Sequence, residues 1–278
     1  MKSLALLSTG LLALTLAGCA TQQGFTYNER VSLAMNVANA SGMGQGLKDA
    51  EIPKDALKDE SSKQVAMGVA AGAAGLSAPV GGLTNAQAGA LNLASWLISP
   101  GIPATQPAVV AWMPNSGQTA EEAQKQLGEL LAGSAEKVYK QLNTEVKTSW
   151  ASYSKKLKGV SLSAKGEHLC NEVNKKSTCS IAFITTIPVS DKSTLPFQKS
   201  GDSYLFKNEI GNNTSVVLPD RQNDGLTERE FMTKISSGLP EWVFLYYPPN
   251  TLKIDKTGKT LAYPLFINQG KEILFLKP

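Results

Sequence analysis

Apolar residues recur close to the period of a helix between residues 120 and 158. Thr119 and Glu122 have the spacing of a capping box at the start of this stretch, and Gly159 follows its end. The apolar positions are Ala123, Leu127, Leu130, Leu131, Val138, Leu142, Val146, Trp150, Tyr153 and Leu157. The spacing predicts a long amphipathic helix over about 120 to 158.

Beyond residue 159 the period shortens to that of a β-strand. Short apolar and β-branched segments, separated by turn residues, occupy 160–164, 179–187, 204–206, 215–218, 242–247, 251–254, 260–267 and 272–276. Thr227 and Glu230 repeat the capping-box spacing, and Gly238 ends the helix that they begin. Residues 160–278 are therefore predicted to form an antiparallel sheet domain with one helix.

Residues 29–159 are predicted to form a helical N-terminal part, so that the predicted fold class is α+β. A short helix is expected over 29–40, and no Asp, Glu, Lys or Arg occurs in the 57 residues from 64 to 120. Three environments would hide this charge-free segment from water: the core of the protein, a partner subunit, or a membrane entered as a hairpin. Its small residues allow close helix packing. The glycines expected at such a packing or oligomer contact are Gly68, Gly72 and Gly75.

Residues 1–18 have the features of an export signal in the required order. Lys2 precedes an apolar run that is too short to anchor the chain across a bilayer. The run ends in Leu16-Ala17-Gly18-Cys19, which resembles the lipobox of bacterial lipoproteins. The resemblance implies cleavage before Cys19 and acylation of Cys19 with fatty acids such as palmitate.

The same resemblance implies a cellular location. In these lipoproteins an Asp after the acylated Cys favours the inner membrane, and here that position is Ala20. The outer membrane is therefore the expected location, with the protein facing the periplasm or the cell surface. Residues 19–28 would serve as a tether.

The other two cysteines predict a disulfide. Cys170 and Cys179 flank a polar stretch with turn chemistry at Asn174, and an exported chain is where a disulfide is expected. A metal site built from His168 and these two cysteines lacks a fourth ligand and the short Cys spacing of zinc sites. We expect no metal site.

Composition excludes several classes of function. With 42% hydrophobic and 18% charged residues the chain is neither disordered nor a polytopic membrane protein, and a net charge of +4 is too small to indicate nucleic acid. With one histidine, His168, and no nucleophile elbow or phosphate-binding glycine loop, no catalytic residue or cofactor is predicted. Ser-x-x-Lys occurs at Ser134 and Ser152, and Lys-Thr-Gly at 256–258, but the Ser-Asp-Asn that accompanies them in penicillin-recognising enzymes is missing.

Three hypotheses for function follow. The first is a non-enzymatic outer-membrane lipoprotein, a structural or assembly component of a secretion, conjugation or exclusion system. The Gly/Ala-rich residues 66–75 resemble those of surface-exclusion lipoproteins. Its partners would be the outer membrane and other envelope proteins, with a homo-oligomer as a further option. The second hypothesis is a periplasmic ligand- or peptidoglycan-binding module that uses the C-terminal sheet, including the aromatic run at 242–249. The third is a hydrolase that uses carboxylates, drawn from Asp220, Asp224, Glu228 and Glu230.

Overall fold

The computed structural model describes residues 24–44, 47–49, 107–142, 145–165, 178–195, 202–209, 212–213, 215–217, 228–248, 252–253, 260–261 and 264–277. The helices in these ranges are α1 (Leu33–Ala40), α2 (Ala120–Gln141) and α3 (Glu228–Ser237). The first strands are β1 (Ala108–Pro114), β2 (Glu145–Ser152), β3 (Leu157–Lys165), β4 (Thr178–Thr186), β5 (Val189–Asp191) and β6 (Ser203–Phe206). The short strands that follow are β7 (Asn208–Glu209), β8 (Asn212–Asn213) and β9 (Ser215–Val217). The last strands are β10 (Val243–Tyr247), β11 (Leu252–Lys253), β12 (Thr260–Leu261), β13 (Leu265–Asn268) and β14 (Lys271–Leu274).

Ten of these strands form one antiparallel sheet. Its main path runs β14-β13-β10-β1-β9-β4-β3-β2, and the β5-β6 pair joins it through β1. β1 lies in the middle and pairs with three strands, β10, β6 and β9. Two further two-stranded ribbons, β7-β8 and β11-β12, complete the strands of the described ranges.

Helices α2 and α3 cover one face of the sheet. α2 contacts β2, β3 and β4, whereas α3 contacts β10, β13 and β14. The rings of Tyr139 on α2 and Phe231 on α3 meet edge to face with centroids 5.3 Å apart, which joins the two helices. At the far end Arg229 of α3 forms a largely buried ion pair with Glu272 of β14. The two helices therefore span most of the width of the sheet.

The central strands are buried on both faces. β10 is buried throughout, and β1 is buried from Ala108 to Met113. Trp112, Phe244, Phe266 and Tyr246 make successive edge-to-face contacts with centroids 5.4 to 6.3 Å apart. Burial disfavours the phenolate and raises the pKa of Tyr246 well above its usual value. The aromatic run at 242–249 thus supplies a core strand.

The start of α2 confirms the predicted capping box. Thr119 Oγ1 accepts a hydrogen bond from the backbone N–H of Glu122 at 3.2 Å, and Glu122 Oε2 accepts one from the backbone N–H of Thr119 at 2.7 Å. The bond from the Thr119 backbone, together with its hydroxyl, lowers the pKa of Glu122 below its usual value.

The N-terminal described segment is attached to the sheet. Thr26 forms a parallel bridge with Thr194, and the N–H of Thr194 donates to the carbonyl oxygen of Phe25 at 2.9 Å. Ser32 caps α1 by accepting from the N–H of Met35 at 2.9 Å. Residues 24–27, within the predicted tether, therefore lie beside residues 192–194, which follow β5.

The predicted fold class is wrong. The described part of the chain is mostly β with three helices, and α2 ends at Gln141 instead of continuing to about residue 158. Residues 145–152, assigned to that helix, form β2. Residues 108–114, assigned to the helical N-terminal part, form β1 in the middle of the sheet. One sheet takes strands from both parts of the predicted division.

A spacing of four residues explains the error at β2. Val146 and Trp150 share one face of a helix, but they also share one face of a strand, because four is a multiple of two. Thr148 lies between them, and β-branched and aromatic residues favour a strand. The alternation was hidden because Thr148 and Ser152, which share the face with Trp150, are polar.

Candidate interaction edge

Strand β2 forms one edge of the ten-stranded sheet. It pairs with β3 along its whole length, from Glu145 opposite Lys165 to Ser152 opposite Lys158. No strand of the described ranges lies on its other side. Seven of its eight residues are exposed, and only Val146 is half-buried against the core. We refer to this outer side of β2 as the β2 edge.

The direction of the backbone groups at the β2 edge follows from one hydrogen bond. The N–H of Tyr153 donates to the carbonyl oxygen of Leu157 at 3.0 Å, so these two residues form a hydrogen-bonded pair of the hairpin. In an antiparallel ladder, residues that bond to the partner strand alternate with residues that point away from it. The odd-numbered residues of β2 therefore bond to β3. The even-numbered residues direct an N–H and a C=O outward, and they are Val146, Thr148, Trp150 and Ser152.

Trp150 lies on the helix-covered face of β2 and is 51% exposed. Its ring rests on α2 at Gly128, where a Cβ would lie 3.1 Å from Cζ3 and 3.2 Å from Cη2 of the indole. Any larger residue at this position would displace the ring. The glycine thus leaves room for a large aromatic side chain against the helix, while about half of that side chain's surface remains in water.

Tyr153 lies on the opposite face, just beyond the end of β2, and is 59% exposed. A Cβ on Gly159 would lie 2.5 Å from Cε2 of the tyrosine ring, so the ring covers this glycine of β3. Each exposed aromatic residue of the hairpin is therefore seated on a glycine. Aromatic side chains of this kind are enriched among residues that contribute most to protein interfaces.

Charge along the hairpin is uneven. Glu145 and Lys147 lie at the start of β2, and no charged residue follows until Lys155 and Lys156 in the turn. All four are exposed. Lys155 and Lys156 therefore lie at the tip of the β2-β3 hairpin. The middle of the β2 edge is uncharged.

A buried glutamine attaches the hairpin to the helix. Gln124 of α2 is almost fully buried, and its Nε2 donates to the carbonyl oxygens of Lys156 at 3.0 Å and Thr185 at 2.6 Å. Those carbonyls belong to the turn before β3 and to the end of β4. The base of the edge hairpin is thus held at a defined place on α2.

Most of the residues that were predicted or weighed as sites lie outside the described residues. These are Cys19, Cys170, His168, Gly68, Gly72, Gly75, Asp220 and Asp224. Cys179 belongs to β4, where its backbone lies opposite Ala164. The lipid attachment, the disulfide and the packing of the charge-free segment stay predictions. Of that segment, the described part that forms β1 is buried within the sheet.

Three residues that were considered for catalysis, Ser134, Ser152 and Glu228, lie within helices or strands of the described structure. Ser134 Oγ is buried and donates to the carbonyl oxygen of Ile235 at 2.6 Å, linking α2 to α3. Ser152 lies on β2. Glu228 accepts a hydrogen bond from the Tyr247 hydroxyl at 3.4 Å in the first turn of α3.

The described ranges contain neither a metal-binding cluster nor a membrane-spanning helix. No group of three or more His, Cys, Asp or Glu side chains in them is placed to hold a metal ion. None of the helices in them combines the length and apolarity needed to cross a membrane.

The β2 edge was missed by the sequence analysis, although one signal for it exists. Ser154 Oγ accepts hydrogen bonds from the backbone N–H groups of Lys156 at 3.2 Å and Leu157 at 3.0 Å. A serine that bonds two and three residues ahead is typical of a turn and disfavours a helix interior. Together with Gly159 it marks a hairpin where the apolar spacing indicated a helix.

Comparison of the chain with protein-family models, with curated proteins and with solved structures finds no match.

Proposed function

We propose that the chain is a non-enzymatic outer-membrane lipoprotein that serves as a structural or assembly component of a cell-envelope machine. The lipobox residues ending at Cys19 support the membrane anchor. One structural observation supports the second half of the proposal: an eight-residue edge strand with outward backbone groups and two exposed aromatic residues, Trp150 within it and Tyr153 just beyond its end. A strand of this kind can pair with a strand of another protein, which provides affinity through main-chain hydrogen bonds.

The membrane anchor is tested by Cys19→Ser. We expect this variant to lose its acyl mass and to remain unprocessed or to appear in the soluble periplasmic fraction. Acylation adds about 0.8 kcal/mol of membrane affinity for each buried methylene, so a chain without acyl groups should no longer be held in the membrane fraction by its lipid. Unchanged mass and fractionation would refute the lipoprotein proposal.

Partner binding is tested by a photo-cross-linking residue at position 149, at the centre of the β2 edge, in living cells. Ser161 on β3 supplies the matched control, because it lies opposite Ser149 on the same face but one strand further in. We expect protein adducts from position 149 and few from position 161. Equal labelling at both positions would show that the edge has no preferred role.

The competing proposal is a glycan-binding module. Exposed aromatic residues such as Trp150 and Tyr153 are the observation that favours it. Retention of the non-acylated protein on purified peptidoglycan, lost in Trp150→Ala and Tyr153→Ala, would support this alternative. Absence of retention, with protein adducts at position 149, would support the assembly component.

A further inference from the structure

We propose that the β2 edge pairs with the β2 edge of a second copy of this chain, so that two ten-stranded sheets join into one continuous antiparallel sheet. This inference rests on the proposed function, because it names the protein that binds the edge. Hydrogen-bond register, side-chain pairing, charge and symmetry each support it.

The direction of the backbone groups restricts the register. In an antiparallel pair of β2 strands, outward-pointing residues must lie opposite outward-pointing residues, and these are the even-numbered ones. A two-fold axis at Ser149 satisfies this condition. It places Val146 opposite Ser152 of the second copy and Thr148 opposite Trp150, and the symmetry repeats both pairs on the other side of the axis. All four outward residues of each copy then form hydrogen-bonded pairs. Axes at Thr148 or Trp150 leave one of the four outside the ladder.

Side chains fit this register on the helix-covered face. Trp150 of each copy would lie opposite Thr148 of the other, and aromatic with β-branched pairs are favourable across antiparallel strands. The two Trp150 rings would be diagonal neighbours within reach of each other. Each ring is half exposed in the single chain and already rests on α2, so pairing would bury the exposed half without reorganising the helix.

Charges fit the register on the other face. Lys147 would lie opposite Ala151 of the second copy, so no like charges meet across the axis. Glu145 would lie opposite Tyr153 at the end of the ladder, so it also meets no like charge. The uncharged middle of β2 coincides with the two-fold axis, where any charged residue would face its own copy.

Symmetry makes this dimer compatible with two lipid anchors. A two-fold axis that continues an antiparallel sheet edge to edge is normal to the sheet, so each face of one copy is continued by the same face of the other. The N-termini of the two copies then lie at the same height along the axis. Both anchors can enter one membrane, which also raises the effective concentration of the two edges.

The register is tested by Ser149→Cys in the acylated full chain, oxidised in membranes. A non-hydrogen-bonded antiparallel pair has Cα atoms about 4.5 Å apart, which lies within the range of a disulfide. Most Ser149→Cys chains should form a reducible dimer. Ser161→Cys is the matched control, because the two copies of residue 161 would be roughly 14 Å apart across three strand spacings. It should stay monomeric on the gel, as should the unsubstituted chain.

Charge tests the same contact without cross-linking. Ser149→Lys and Ser149→Asp each place like charges opposite each other at the axis, and each should raise the dimer dissociation constant about 100-fold or more. Mixing the two variants should restore a dimer, because opposite charges then meet. Position 149 is exposed in the single chain, so both variants should keep the parental melting temperature of the monomer.

The possible results separate this inference from the proposed function. A dimer that survives Ser149→Lys, or equal cross-linking at 149 and 161, overturns the self-pairing. Photo-adducts from position 149 that contain a different envelope protein and no second copy also overturn it, but they support the assembly component. Absence of any protein adduct from position 149 overturns both the self-pairing and the proposed assembly function.

Discussion

Gly128 and Gly133 offer a direct measurement of how Trp150 packs on α2. Both glycines lie inside the helix, where replacing Gly by Ala stabilises a helix by about 0.8 to 1.0 kcal/mol. A Cβ on Gly133 would have no atom within 4 Å, so Gly133→Ala should give the full gain. For a domain of this size that corresponds to a rise in Tm of about 2 to 4 °C.

Gly128→Ala should stabilise the protein clearly less than Gly133→Ala does. Its methyl group would lie 3.1 and 3.2 Å from two carbon atoms of the Trp150 ring, closer than the usual carbon contact of about 3.5 to 4.0 Å. The ring must move outward by a few tenths of an ångström and loses part of its contact with the helix. Trp150 is half exposed and can move, so we expect Gly128→Ala still to raise the free energy of unfolding, but by less than about half of the increase at Gly133.

A double-mutant cycle assigns this deficit to Trp150. In the background of Trp150→Ala, Gly128→Ala should recover a gain equal to that of Gly133→Ala. The free energy of unfolding from thermal and denaturant melts, measured for all single and double variants, provides the comparison. Equal gains at both glycines in the parent chain, or a deficit at Gly128 that persists without Trp150, would refute the described contact.

Three other predictions address the helix cap, the core and the cysteines. Thr119→Ala should cost about 0.5 to 2 kcal/mol at pH 7. The backbone N–H of Thr119, which the variant keeps, and the Thr119 hydroxyl, which it lacks, both lower the pKa of Glu122. The hydroxyl's share of this stabilisation is present above the unfolded pKa and is lost as the pH falls through the folded pKa. Chemical unfolding of both proteins at pH 7 and pH 3 should therefore show a smaller difference at the acid pH, and an unchanged difference would contradict the cap. Burial raises the pKa of Tyr246, so the parent chain should lose stability above about pH 10 as the unfolded phenol ionises. Tyr246→Phe should lose less over that range, and parallel pH profiles would argue against the buried phenol. Cys170 and Cys179 should be joined in protein isolated from the periplasm, where closure of this short loop adds on the order of 2 to 3 kcal/mol. Free thiols in a non-reducing mass measurement on denatured protein would disprove the pairing.

The sequence predicted most of the strands beyond residue 159, because their apolar segments are short and bounded by turn residues. The segment predicted at 179–187 overlaps β4 over residues 179–186, and that predicted at 242–247 contains β10. The turn residues at 268–270, which separate two of the predicted segments, do form a turn, with positive φ angles of 49° at Gln269 and 74° at Gly270. Local chemistry was sufficient for these elements, because a turn is specified by its own residues.

The role of β1 could not be predicted in the same way. Its residues from Ala108 to Met113 are all apolar, so they show neither the alternation of a half-buried strand nor the spacing of a helix face. A strand with both faces buried has no polar positions that would reveal its period. Its place at the centre of the sheet depends on distant partners, β6 and β10, which no local pattern specifies.

The β2 edge escaped prediction for a related reason, and that reason bears on its function. Whether a strand lies at an edge is decided by the order of all strands in the sheet, so Trp150 was assigned to a buried helix face although half of it is exposed. Natural sheets usually protect long edges with charges, proline or bulges. β2 has no proline, and its two charged residues, Glu145 and Lys147, both lie in its first half. The second half is uncharged, contains Trp150 and is followed by Tyr153, and each of these rings is seated on a glycine. The edge is therefore unprotected where it is most apolar. Its charges lie only where they would oppose neutral residues of a second copy, and this arrangement is that of an interface.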